Sequence, residues 1–284
     1  MIGAVIGDTV GSVYEFDNTK DYNFTILTPR SVYTDDSVMS FAVARWLLDD
    51  PLHSPEVLVD TVVRFARECP CPMGGYGGMF YKWLFYPDNI RSCEDGVRRP
   101  YGSWGNGSAM RCSACGWFFG TLEETERMAG ISAAITHDHP EGIKGAQATA
   151  AAIWMARNGK TKKEICAYIE SRYGYDISGT WEEYNRTYHW EDSCQGTVPP
   201  AIVCFLESSH FEDAIRKAVS IGGDSDTLAC ITGGIAEAFY GDIPAGLLGF
   251  TYGKLPQEFR DILSEMAERT DYGKVFRKYP LVDL

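Results

Sequence analysis

The 284-residue chain has no long apolar run; no window approaches the roughly 18 uninterrupted apolar residues of a membrane helix. Its N-terminus, Met1 to Asp8, has no basic segment, and Asp8 interrupts the apolar stretch, so it does not read as a signal peptide. Ser/Gly/Pro-rich tracts, blocks of like charge and solenoid-spaced repeats are all missing. With no candidate linker, one domain over residues 1–284 is expected. Positive charge is in deficit, with 26 basic residues against 39 acidic ones and a net charge of −13. A surface that neutralises nucleic-acid phosphates needs clustered Lys and Arg, so a nucleic-acid partner is not expected. A nucleotide is still compatible, because a pocket can be locally positive or metal-filled. Nine cysteines, an odd number, lie mostly in apolar helical patterns. That usage points to a reducing cytoplasm and not to a disulfide framework.

Strand-like alternation is also scarce, and what replaces it is helical periodicity. Ser37 to Leu48 carries a wide apolar face and stops at Asp49-Asp50-Pro51. Ser54-Pro55-Glu56 opens a second helix through Val57, Leu58, Val62, Val63 and Phe65. Pro140-Glu141 opens an Ala-rich one that ends at Asn158-Gly159, and Thr161 caps another through Ile165, Tyr168 and Ile169. Phe211 to Val219 and Thr227 to Tyr240 complete the strong patterns. The class is mainly α. Small residues at Ala146–Ala152 and Thr232–Ala236 predict closely approaching helices in a compact bundle.

Two acidic clusters stand out by position. Thr34-Asp35-Asp36 precedes the helix near Ser37, and Gly222-Gly223-Asp224-Ser225-Asp226-Thr227 precedes the helix that begins near Leu228. Helix capping is one explanation, since Asp and Thr favour that position. One carboxylate is enough to cap, however, and a second beside it adds repulsion. Four carboxylates and two hydroxyls form a hard oxygen set suited to Mg²⁺, Mn²⁺ or Ca²⁺ and not to zinc. Two such cations held close together can orient hydroxyls and activate a water.

Tyr101 to Arg111 is a glycine-rich turn expected to lead into a helix through Cys115 and Phe119; its N–H groups could face phosphate oxygens, or it could be an ordinary turn. Thr136-His137-Asp138-His139 holds two of only five histidines without a third zinc ligand nearby. Cys112 and Cys115, and Cys69 and Cys71, read as structural thiols.

In this order the segments resemble the ADP-ribosylglycohydrolase family. The match runs through Gly7, Asp8, Gly11, Tyr14 and Glu15, then Thr34-Asp35-Asp36-Ser37, Gly105 to Arg111, Thr136 to Gly142, and Gly222 to Thr227. The resemblance implies an all-α, single multi-helix bundle with a dinuclear metal site for Mg²⁺ or Mn²⁺. It implies Thr34, Asp35, Asp36, Asp224, Asp226 and Thr227 as metal ligands. It makes Glu15, outside both clusters, a mobile acid near the scissile bond, with Glu15, Asp35 and Asp36 all candidates for the base. Gly105, Asn106, Gly107, Ser108 and His137 would line the diphosphate and distal ribose. Ser225 departs from the commoner Thr, at a position not expected to ligate. The substrate implied is an ADP-ribosylated protein side chain or a small ADP-ribose conjugate. Acceptor recognition would fall to the loops from Cys69 to Asn89 and from Tyr173 to Gln195. Two other readings compete: a metal-dependent phosphohydrolase of a nucleotide or sugar phosphate, and a non-catalytic protein on the same scaffold. The second would have shed its metal-binding acids, and all are present here.

Overall fold

The computed structural model describes residues 1–93 and 95–280, and helix is their one form of regular secondary structure; among them only two isolated β-bridges occur, Thr34 with Met73 and Gly105 with Ser193. Helix α1 spans Ile2–Gly11, α2 Asp35–Asp49, α3 Pro55–Glu68 and α4 Gly78–Phe85. Two short helices follow, α5 at Gly107–Met110 and α6 at Ser113–Phe118. Then come α7 (Leu122–Ala134), α8 (Pro140–Arg157), α9 (Lys162–Tyr173), α10 (Trp181–Thr187) and α11 (Cys194–Leu206). The chain continues with α12 (Phe211–Ser220), α13 (Ser225–Tyr240), α14 (Ala245–Lys254), α15 (Gln257–Arg269) and α16 (Gly273–Phe276). No described helix is long and apolar enough to cross a membrane.

The centre of the fold is α1 against α13, and every residue of α1 is buried. Gly3, Gly7 and Gly11 lie at every fourth position and share one face. A Cβ at Gly7 would overlap the Ala229 carbonyl, and one at Gly11 would overlap the Asp226 backbone. The missing side chains therefore let the two helix axes approach closely, which brings the N-terminal end of α13 beside the C-terminal end of α1. The Ala-rich α8 packs on the other side of α13 and on α7, as its small residues require.

The expected helix from the glycine loop through Cys115 and Phe119 is instead two pieces. The chain bends at Arg111 and Cys112, so α5 and α6 each stay under two turns. This break buries the Arg111 side chain completely.

Candidate active site

The N-terminal ends of α2 and α13 open onto one cavity of about 580 Å³, lined by Asp35, Asp36, Asp224, Asp226 and Thr227. Capping does not account for these acids. The cap of α2 is the Thr34 hydroxyl, which accepts from the Asp36 N–H at 3.3 Å, and the Asp224 side chain makes no capping bond. The two clusters meet directly, because the Thr227 hydroxyl donates to Asp36 Oδ2 at 3.2 Å. Asp36 Oδ1 is buried with no partner.

Glu15 joins this group. Oxygens of Glu15, Asp224 and Asp226 lie within 4.8 Å of one another, so the residue that is isolated in the sequence sits among the carboxylates. Its Oε2 is also buried and unpartnered. The backbone at Glu15 is held by Asn18, whose amide donates to the carbonyls of Tyr14 (2.6 Å), Glu15 (2.9 Å) and Gly223 (2.9 Å). Asn18 Oδ1 accepts the Gly223 N–H at 2.7 Å. Gly222 and Gly223 both adopt left-handed backbone (φ 73° and 74°), which glycine tolerates and which makes this turn possible.

Asp8 supports the cluster from behind. Its carboxylate accepts the Thr34 N–H at 2.9 Å, the Ser37 N–H at 3.1 Å and the Ser37 hydroxyl, so it fixes the first turn of α2. Burial raises its pKa to about 6 against those hydrogen bonds. Burial, together with the Asp224 and Asp8 charges, raises Glu15 to about 7. Burial and the neighbouring carboxylates also push Asp35, Asp36 and Asp226 well above the ordinary range, and burial raises Asp224. Groups that repel one another and lack partners fit a divalent cation, which supplies the missing charge. The donor set and the two orphaned oxygens both meet that requirement.

The glycine loop forms the facing wall. Gly105 and Gly107 line the cavity above His137, which is 5 % exposed. Asn106 departs from expectation in part: it touches the cavity, but its amide donates to Asp224 Oδ2 at 2.7 Å, linking the loop to the acids. The Ser108 side chain, against expectation, does not line the cavity: it is fully buried and donates to the Gly142 carbonyl at 2.7 Å, so the hydroxyl ties α5 to α8. The two loops expected to recognise the acceptor contain α4 and α10. Trp83 and Trp181 serve packing, with their indole N–H groups on the Arg99 and Lys217 carbonyls, whereas Tyr76, Phe80 and Trp190 do line the cavity.

Several residues in or behind this site had no role in the sequence reading. Phe16 stacks on Trp190 at the cavity rim with centroids 5.6 Å apart. Asp8 had a signal, as the lone charge in an apolar stretch; Asn18 had none.

The family model for ADP-ribosylglycohydrolase matches residues 1–279. Human (Homo sapiens) ADP-ribosylhydrolase ARH3 is 27% identical, with 85% of this chain and 84% of that protein covered. The ADP-ribosyl-dinitrogen reductase glycohydrolase of Rhodospirillum rubrum is 24% identical, covering 92% and 91%. A solved structure described as an ADP-ribosylglycohydrolase-related protein complex superposes with a TM-score of 0.62 at 22% identity, covering 97% of this chain and 95% of that one.

Proposed function

The chain belongs to the ADP-ribosylglycohydrolase family and is a hydrolase, and from that premise we propose that it cleaves the glycosidic bond between ADP-ribose and an acceptor. The acceptor is an ADP-ribosylated protein side chain or a small ADP-ribose conjugate. One observation carries the reading: two acidic clusters far apart in the chain, plus Glu15, converge on one wall of a cavity whose other wall is the glycine loop over His137. All nine cysteines are free, which supports a cytoplasmic setting.

Thr34, Asp35, Asp36, Asp224, Asp226 and Thr227 would hold two divalent cations, Mg²⁺ or Mn²⁺, with Glu15 at their edge. Bound there, the cations would polarise hydroxyls or water and offset the carboxylate charge. The remaining chemistry belongs to side chains and backbone. Gly105, Gly107 and His137 hold the diphosphate and distal ribose, so that the anomeric carbon faces the acids. Asp35, Asp36 and Glu15 stabilise positive charge that develops on the sugar ring as the bond to the acceptor lengthens. Glu15 takes the proton from the attacking water, since a carboxylate oxygen lies within 4.8 Å of Asp224 and Asp226 oxygens while its backbone is pinned by Asn18.

The test is incubation with acceptors ADP-ribosylated on arginine, serine, a nucleic-acid end or an acyl group, in Mg²⁺ or Mn²⁺ and in EDTA. Cation-dependent release of intact ADP-ribose from at least one is expected. Phosphate release from nucleotides, with every ADP-ribosyl bond left intact, would contradict the proposal.

A further inference from the structure

Arg111 is fully buried beneath the glycine loop, lines the cavity, and is the one lysine or arginine that does so among the described residues. No carboxylate pairs with it. Its Nη2 donates to the Ser132 carbonyl at 2.7 Å and the Thr136 hydroxyl at 2.9 Å, while Nε and Nη1 have no partner. A guanidinium only donates, so the Thr136 oxygen accepts from Arg111 and keeps its own proton to give away. The other group in reach of that hydroxyl is His137 Nδ1, at 2.7 Å. Nδ1 is therefore an acceptor, and the single proton of a neutral imidazole sits on Nε2. Nε2 lies under Gly105 and Gly107, on the cavity side.

We propose that Arg111 and Thr136 form a relay that fixes His137 as a neutral Nε2–H donor for an anionic oxygen of the ligand. The relay rests on the reading above, in which that oxygen belongs to the diphosphate of ADP-ribose. Arg111 and Thr136 are positioning residues: they act through His137, and the guanidinium, which no carboxylate pairs, adds positive potential to a cavity whose other charged lining is acidic. Burial, and after it the Arg111 charge, holds His137 well below its usual range, which favours the neutral ring. The other titratable groups about it leave this intact. Tyr101 lies with its ring 6.2 Å away, and the Asp138 carboxylate turns outward to accept the Gly102 N–H at 2.7 Å.

The experiment uses the whole protein with ¹⁵N-labelled histidine, without ligand, and assigns the His137 tautomer by NMR. Wild type should show only the Nε2–H form across about pH 6 to 8. Thr136→Val keeps the shape but removes the hydroxyl; it should mix the tautomers, and Thr136→Ser should restore the single form. Calorimetric titration with ADP-ribose should show affinity falling about tenfold in Thr136→Val and recovering in Thr136→Ser, the scale of one hydrogen bond to a charged group. A cationic or Nδ1-protonated His137 in wild type would overturn the relay, as would a Thr136→Val protein with wild-type tautomer and affinity. Absence of ADP-ribose binding by wild type would instead strike the functional reading, and the ligand-free tautomer would still decide the relay.

Discussion

At Glu15 a half-buried carboxylate shares a few ångströms with two others, and its position depends on an exposed asparagine. If it handles the proton of the attacking water, Glu15→Gln should lower kcat by about 10²-fold or more, because the amide keeps the size and loses the basicity. Single-turnover hydrolysis checks the rate, and titration with Mg²⁺ or Mn²⁺ checks whether cation affinity also falls, as a ligand role would require. Unchanged turnover would pass the base to Asp35 or Asp36. Asp8 acts at one remove, as the acceptor for two N–H groups and one hydroxyl at the start of α2. Asp8→Ala leaves those donors buried and should destabilise the fold by about 1–3 kcal/mol. Chemical denaturation measures this; a change under about 0.5 kcal/mol, the scale of an ordinary surface substitution, would mean α2 holds itself.

Element by element, helices with a start signal and a long amphipathic or small-residue face were legible in the sequence. Ser54-Pro55 and Thr161 mark the starts of α3 and α9 as expected. Helix α1 is absent from the expected helices, because Gly3, Gly7 and Gly11 are poor helix formers when only local propensity is weighed. Their value lies in the partner helix: a backbone that touches α13 is worth more than the entropy each glycine costs. Helix α11 hides for a related reason, since Pro199 and Pro200 sit inside it and their burial in the core overrides their poor propensity. In the site, both acidic clusters were legible as residues, whereas Glu15 was placed beside them by the family resemblance and not by spacing, because Asn18 and the Gly222-Gly223 turn create that proximity over a separation of about two hundred residues. The glycine argument can be measured. Gly7→Ala should cost about 3 kcal/mol or more, as its methyl meets a backbone carbonyl that cannot move aside. Gly246→Ala, in α14 with nothing within 4 Å of the new methyl, should stabilise by up to about 1 kcal/mol. Equal melting temperatures for the two variants would refute the close-approach account.

For the molecule as a whole, the fold spends stability on keeping repelling carboxylates together, and pH reveals it. Glu15 titrates at about 7 in the fold, raised by burial and by Asp224 and Asp8, against an ordinary carboxyl near 4.5. The folded apoprotein thus binds this proton more tightly than the unfolded chain. Its stabilising contribution is complete at low pH and lost as pH rises through about 7. A divalent cation replaces the proton, so the gain in melting temperature from Mg²⁺ or Mn²⁺ over EDTA should be small near pH 5 and larger near pH 8. Thermal melts across that range check the sign, and a gain that shrinks with rising pH would contradict it. The central claim is that clusters from α2 and α13 form one hydrolytic centre, and the most direct measurement takes Asp35→Ala and Asp226→Ala together. Bound metal, melting temperature and ADP-ribose release are determined on each. Each variant should stay folded, lose at least one cation and lose most of its activity. Full metal occupancy with normal turnover in either variant would contradict the account.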